Sequence, residues 1–240
     1  MTLTSLPSDK VLAIDAATRT QALALLDGDQ LLETRAQRVR YNHGSALLAN
    51  IEALFNAQSL DLSQVELFAV GLGPGSFTGL RVALAASKAL ARAHQRPIVG
   101  VSSLAAAALP LALSSPGQPV CVAFDARRHE VYAGAYVARE GRLLTLLPED
   151  TRAPELLADE LQTLDAPHPI ALIGDGIRAY PALQELPADL VLRPPAPLAP
   201  PSAVGVALLA RQHLATHGPH DLVQLEPNYI RPSDARLPTT

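Results

Sequence analysis

The chain has 240 residues, of which 48% are hydrophobic and 18% charged, long enough for one large domain or two lobes and able to bury a core without disulfides or a structural metal. Its 19 basic and 23 acidic side chains leave a net charge of −4, which argues against a protein whose main business is neutralising a nucleic-acid backbone. Cys121 has no second cysteine to pair with, as in a reducing cytosol, and the apolar run 11–14 is too short for a signal-peptide core or a membrane span, so a soluble cytoplasmic protein is expected.

In chain order, the apolar run 11–14 ends at Asp15 and is followed by a strand at 21–26, a turn at 27–30 and a strand at 31–39, which predicts a three-strand meander. Residues 43–57 carry Leu47, Leu48, Ile51, Leu54 and Phe55 at the spacing of one helical face. A fully apolar strand at 67–72, a Gly-rich turn, a helix at about 78–93, a strand at 98–101 and an Ala-rich helix from about 102 complete the first half. The second half repeats the order: strands at 120–124 (followed by Asp125), 130–137 and 143–147, a helix at 154–164, a strand at 170–173, a Gly174-Asp175-Gly176 turn and a helix at 177–186. Strand alternating with helix after each meander predicts an α/β protein of two similar lobes, 1–114 and 115–240. The Pro-rich stretch 194–201 reads as a stiff spacer that carries a last helix, 202–216, back across the molecule.

The most specific local pattern is Gly71-Leu72-Gly73-Pro74-Gly75-Ser76-Phe77-Thr78-Gly79-Leu80-Arg81. Glycines there admit a close backbone or ligand, Ser76 or Thr78 can cap the following helix, and a helix start behind such a loop suits an anion. It is not a P-loop, because Leu80 and Arg81 follow Gly79 where Lys and Ser or Thr are needed. Nor is it a nucleophile elbow, since Pro74 and Thr78 flank Ser76, or a dinucleotide fingerprint, since Ser76 stands at the third glycine.

This loop resembles the signature of the TsaB (YeaZ) family. The similarity continues through Leu12-Ala13-Ile14-Asp15-Ala16-Ala17-Thr18, the helix led by His43, Asp125-Ala126-Arg127-Arg128-His129-Glu130-Val131-Tyr132, and Pro227-Asn228-Tyr229-Ile230-Arg231. The resemblance implies an actin-like, sugar-kinase-like (ASKHA) fold of two ribonuclease-H-like lobes. It further implies a non-catalytic scaffold for the paralogue TsaD, which transfers threonylcarbamoyl to the adenosine next to the tRNA anticodon, together with the ATPase TsaE. Self-association as a homodimer when alone and only indirect contact with tRNA are expected. No cofactor is expected in isolation, with ATP or ADP at a subunit interface left open.

On this reading the helices beginning near His43 and Thr78 form the partner surface, with His43, Leu47, Ile51, Leu54, Leu80, Arg81, Leu84 and Lys88 as candidates and Ala83, Ala86, Ser87 and Leu90 allowing close approach. Asp15 and Asp125 end the first strand of each lobe, where actin-like ATPases orient a magnesium-bound phosphate, but a turn-forming aspartate looks the same in sequence. Gly174-Asp175-Gly176 reads equally as a nucleotide loop or an ordinary turn, and Arg127 and Arg128 as a solvated turn. Leu47 stands four residues after His43, so the histidine pair by which TsaD holds a metal is missing and no metal is expected. His213 and His217 have i, i+4 spacing but read as a helix C-terminus before Gly218. Two rival functions, an autonomous phosphotransferase and a metal-dependent peptidase, would need complete phosphate loops in both lobes and a first-lobe histidine pair, respectively.

Overall fold

The computed structural model describes residues 9–39, 43–167, 169–195 and 201–230. Strand β1 (Lys10–Asp15) has no polar alternation because both its faces are covered, and five of its six residues are buried in succession. It pairs antiparallel with β2 (Thr20–Asp27), which pairs with β3 (Gln30–Arg38), and parallel with β4 (Leu67–Gly71). With β5 (Ile98–Val101) the sheet order is β3-β2-β1-β4-β5. The second sheet, from β6 (Pro119–Arg127), β7 (Glu130–Arg139), β8 (Arg142–Arg152), β9 (Ile170–Ile173) and β10 (Val191–Leu192), runs β10-β9-β6-β7-β8, the same order read from its other edge. The duplicated meanders thus become two sheets of one topology.

Helices cover four sheet faces. On the first sheet, α1 (His43–Gln58) and α2 (Phe77–His94) bury Leu47, Ile51, Leu54, Ala83 and Leu84 against Leu12, Ile14, Leu23 and Phe68. Helix α3 (Ser103–Ser114) then leaves that lobe and packs on β6 and β7. On the outer face of the second sheet lie α4 (Pro154–Thr163), α5 (Gly176–Ala179) and α6 (Pro181–Gln184). Helix α7 (Ala203–His217) returns to the first sheet, setting Ala203, Val206, Ala207 and Ala210 on Val11, Ala13, Ala24 and Val99. A division between residues 114 and 115 therefore separates the sheets but not the helical layers, because α3 and α7 each lie on the sheet of the other half. They touch at Gly205, where a Cβ would overlap the Ala106 carbonyl oxygen. Ser102 fastens the joint as well, capping α3 through the Ala105 N–H and donating to Glu149, which also accepts from Tyr136 at 2.7 Å.

One expectation fails locally, and one strand was not foreseen. The helix expected at 177–186 is two short turns, because Pro181 has no N–H to continue it and Tyr180 is extended at φ −132°. Strand β10 has only two residues, too few to show a pattern. Positions 196–200 of the spacer, and Arg231, lie outside the described residues.

After α7 the chain runs back along the first lobe. The His220 N–H donates to Ile98 O at 3.0 Å, Leu225 is buried in the α1–α2 core, and the Asn228 N–H donates to Leu72 O at 2.8 Å. This strap gives the far C-terminal segment a place beside the Gly-rich loop.

Candidate functional site

The Gly-rich loop is folded onto its own lobe. Ser76 caps α2 by accepting the Gly79 N–H at 3.3 Å, while its own N–H donates to Ala17 O at 2.6 Å in the turn after β1. A Cβ on Gly75 would overlap that same carbonyl oxygen, and one on Gly79 the carbonyl oxygen of Ala16. These glycines permit backbone to lie on backbone, and Gly73, at φ +95°, turns its N–H to the Ser103 hydroxyl at 3.1 Å.

Behind the loop sits Asp15, with no exposed surface. Its Oδ1 accepts the Ala17 N–H at 2.8 Å, and its Oδ2 is buried without a partner against the Cα of Gly71. Desolvation raises its pKa to about 6, opposed in part by the Ala17 N–H and by the neighbouring Ser103 hydroxyl. As a phosphate-site candidate Asp15 is corrected, because the loop seals it from the space between the lobes.

That space is a cleft of about 650 Å³ whose walls include Thr18, Arg19, Thr20 and Arg38 of the first lobe, and Asp125, Asp175, Arg178 and Arg193 of the second. Asp125 therefore reaches the cleft, but its Oδ1 already accepts the Arg127 N–H at 2.8 Å and the Tyr180 hydroxyl at 2.9 Å. Its N–H donates to Asp175 Oδ1 at 3.0 Å. The Asp175 carboxyl is raised in pKa, chiefly by desolvation, with the Asp125 N–H and the Arg19 charge opposing. Gly174-Asp175-Gly176 is the turn that makes this contact, and Gly174, at φ +116°, lies against the Ala123 carbonyl. Where β6 turns into β7, Arg127, Arg128 and His129 stand at φ +61°, +54° and +61°. This left-handed run costs on the order of 1 kcal/mol per residue without glycine. It is braced by Asp125, by a 3.0 Å contact of His129 Nε2 with Glu155, and by the Tyr180 ring edge-on to His129 at 5.3 Å.

The partner-surface candidates divide. Leu47, Ile51, Leu54, Leu80 and Leu84 are buried in the protein's own cores, as are Ala83 and Ser87. The expectation that these leucines and Ile51 face a partner is corrected, because the helical stripe that sequence periodicity detects is the one that covers the sheet. The outward face holds Leu48, 59% exposed, with Ala49 and Glu52 on α1, and Phe77, Thr78, Ala85 and Ala89 on α2. His43 is half-buried and its carbonyl accepts Gln21 Nε2 at 2.9 Å. Arg81 lies over the Phe77 ring at 3.6 Å and donates from Nε to the Tyr229 hydroxyl at 2.9 Å. Lys88 Nζ donates to Val223 O at 3.1 Å. Sequence reasoning missed Leu48 as an outward residue, although it stands one step off the buried stripe, and missed the joining of Tyr229 to α2, for which no local signal exists.

His213, His217 and His220 gather at the end of α7, with ring centroids 4.8 Å apart for the first pair and 4.4 Å for His213 and His220. Their planes are within 25° and 11° of parallel, so the three rings form a stack. The His220 Nδ1 accepts the Gly100 N–H at 3.4 Å, which ties the strap to β5. No helix among the described residues is long and apolar enough to cross a membrane.

Comparison with known proteins places this geometry. Residues 36–178, more than half of the chain, match the family model "TsaD: tRNA N6-adenosine threonylcarbamoyltransferase". The chain is 29% identical to the tRNA threonylcarbamoyladenosine biosynthesis protein TsaB of Escherichia coli over 225 residues, covering 92% of this chain and 94% of that one. It is 30% identical to the protein of the same name in Bacillus subtilis over 169 residues, covering 68% and 70%. The solved YeaZ of Pseudomonas aeruginosa superposes with a TM-score of 0.74 at 28% identity, over 92% of this chain and 99% of that one. At the level of the fold alone, a Thermus thermophilus ROK hexokinase matches at a TM-score of 0.50 and 18% identity over 85% and 99%, so the two lobes have the ASKHA arrangement. The chain belongs to the TsaB (YeaZ) family.

Proposed function

We propose that this chain acts in tRNA threonylcarbamoyladenosine biosynthesis, in the cytoplasm, as a non-catalytic scaffold that binds a TsaD-like paralogue through the outward face of α1 and α2. The names of its relatives in Escherichia coli and Bacillus subtilis support the pathway. The observation that carries the scaffold role is the closure of the Gly-rich loop on Ala16 and Ala17, with Asp15 sealed behind it. A phosphate-transfer site needs that loop and carboxylate open to substrate, whereas here they fix the start of α2. Helix α2 then presents Phe77, Ala85 and Ala89 beside Leu48 and Ala49 of α1, small residues interspersed with apolar anchors, as helix packing between subunits requires. Self-association uses the same face when the partner is absent, and a TsaE-like ATPase joins through the paralogue.

The match to the transferase family model favours a second reading, in which the chain carries out the transfer itself. A reconstituted modification assay separates the two. Leu48→Glu places a charge on the exposed face, where desolvation on association costs several kcal/mol. The variant keeps its melting temperature, loses the paralogue in size-exclusion chromatography and abolishes modification. Wild-type protein alone, with tRNA, ATP and the threonylcarbamoyl donor, gives no product. Product formation without the paralogue, or full binding by Leu48→Glu, overturns the scaffold reading.

A further inference from the structure

We propose that the interlobe cleft binds the phosphodiester backbone of a single-stranded RNA segment through Arg19, Arg38 and Arg178. The cleft inverts the charge of the protein around it. In a chain of net charge −4 its walls carry four arginines against two aspartates, and both aspartates already accept hydrogen bonds from within the second lobe. Arg193 is held in place by the carbonyls of Leu183 and Leu186, at 2.8 Å each. The guanidinium groups of Arg19, Arg38 and Arg178 make no hydrogen bond or close ion pair among the described residues, the Arg19 charge acting on Asp175 only through space. They come from three elements on both walls, the β1–β2 turn, the end of β3 and the short helix α5, so one ligand lying in the cleft can meet all three. Thr18 and Thr20 stand between them on the first-lobe wall.

The chemistry of the ligand follows from what the cleft holds. Unpaired guanidinium forks select anions with paired oxygens, and phosphate is the group they fit best. A nucleoside triphosphate with its magnesium would want an open carboxylate and phosphate loop in the first lobe, where Asp15 is sealed and the loop is closed. Singly charged phosphates spaced along a chain suit separate arginines on opposite walls, and a volume of about 650 Å³ exceeds what one phosphate fills. Three such contacts on a single strand give a salt slope of roughly −2, or about a 20-fold loss of affinity between 50 and 200 mM salt. The contact is therefore weak and positions RNA rather than capturing it, in keeping with the overall negative charge. It does not depend on the scaffold reading, since it requires no partner subunit.

The test is fluorescence anisotropy of a labelled single-stranded RNA oligonucleotide with the purified chain, titrated across salt, with Mg-ATP and inorganic phosphate as competitors. The wild type binds with the slope above. Arg19→Ala, Arg38→Ala and Arg178→Ala each weaken binding several-fold and flatten the slope by about 0.7. The triple variant loses binding while keeping its melting temperature, and Arg92→Ala and Arg139→Ala, exposed outside the cleft, change nothing. Absence of RNA binding at low salt, an isotherm untouched by the triple variant, or displacement of RNA by Mg-ATP at lower concentration than by unlabelled RNA overturns the proposal. None of these outcomes bears on Leu48→Glu and the paralogue, so the two readings fail separately.

Discussion

The Nε of Arg81 donates to the Tyr229 hydroxyl at 2.9 Å across 148 positions of sequence, joining α2 to the end of the strap. Phe77 completes the cluster, its ring 5.5 Å from that of Tyr229 and stacked beneath the guanidinium. The group is exposed, so its contribution is modest, whereas Leu225, four positions earlier, is buried in the α1–α2 core. Tyr229→Ala should cost about 1 kcal/mol and Leu225→Ala roughly 2–5 kcal/mol. For a chain of this size these correspond to about 2–4 °C in melting temperature per kcal/mol. Thermal unfolding checks the order: if Leu225→Ala costs no more than Tyr229→Ala, the strap is not anchored through the core.

Asp15 gives stability a pH dependence of unusual sign. Its folded pKa, about 6, lies above the ordinary value of 3.8, so between those values the folded state binds more protons than the unfolded state and stability falls as pH rises. Below about pH 4 the group is protonated in both states, and above about pH 6 it is ionised in both, with the full cost present. That cost is on the order of 3 kcal/mol. Asp15→Asn removes it, so the difference in urea-unfolding free energy between variant and wild type should shift in favour of the variant from pH 4 to 6 and then level. A difference flat across that range, or moving the other way, refutes the account.

How much was legible in the sequence follows the range of the interaction. Both meanders, the helices at His43 and Thr78 and the α/β class could be read because strands and helices write their own periodicity, and the loop at 71–81 carries a motif that is contiguous in the chain. The direction of the α1 and α2 stripes was not legible: Leu47 and Leu48 are adjacent and equally apolar, and burial of one at 0% with the other at 59% is decided by where the sheet lies. The cleft was illegible for the same reason. Arg19, Arg38, Arg178 and Arg193 are scattered over more than 170 positions and meet because two sheets face each other. Pro181, by contrast, was a readable helix breaker that the apolar spacing around it concealed.

Gly79 in the first turn of α2 and Gly44 in the first turn of α1 differ in what they permit, which substitution can separate. Gly79→Ala drives a methyl into the Ala16 carbonyl oxygen, a backbone atom that cannot swing aside, whereas a Cβ on Gly44 meets nothing within 4 Å. Gly79→Ala should therefore destabilise by roughly 1–3 kcal/mol, and Gly44→Ala should stabilise α1 by up to about 1 kcal/mol. Denaturant unfolding of both variants decides it. Equal gains at the two positions would mean that the loop does not rest on the turn after β1.

The exchange of helices between lobes predicts one cooperative transition. Helix α3 follows the first sheet in sequence and covers the second, α7 does the reverse, and the two meet where Gly205 touches Ala106. Unfolding either lobe alone would strip one apolar sheet face of its helix, exposing Val11, Ala13, Ala24 and Val99 in one case and Val120, Val122 and Phe124 in the other. Calorimetry should give a single peak whose calorimetric and van 't Hoff enthalpies agree. Gly205→Ala sharpens the test, because its methyl overlaps a carbonyl oxygen of α3 and forces the helices apart, a strain of roughly 1–3 kcal/mol. Shared by both lobes, that strain should lower the whole peak by about 2–12 °C without splitting it. Two resolved transitions, only one of them shifted by Gly205→Ala, would show that each lobe folds on its own and that the crossing helices merely lie between them.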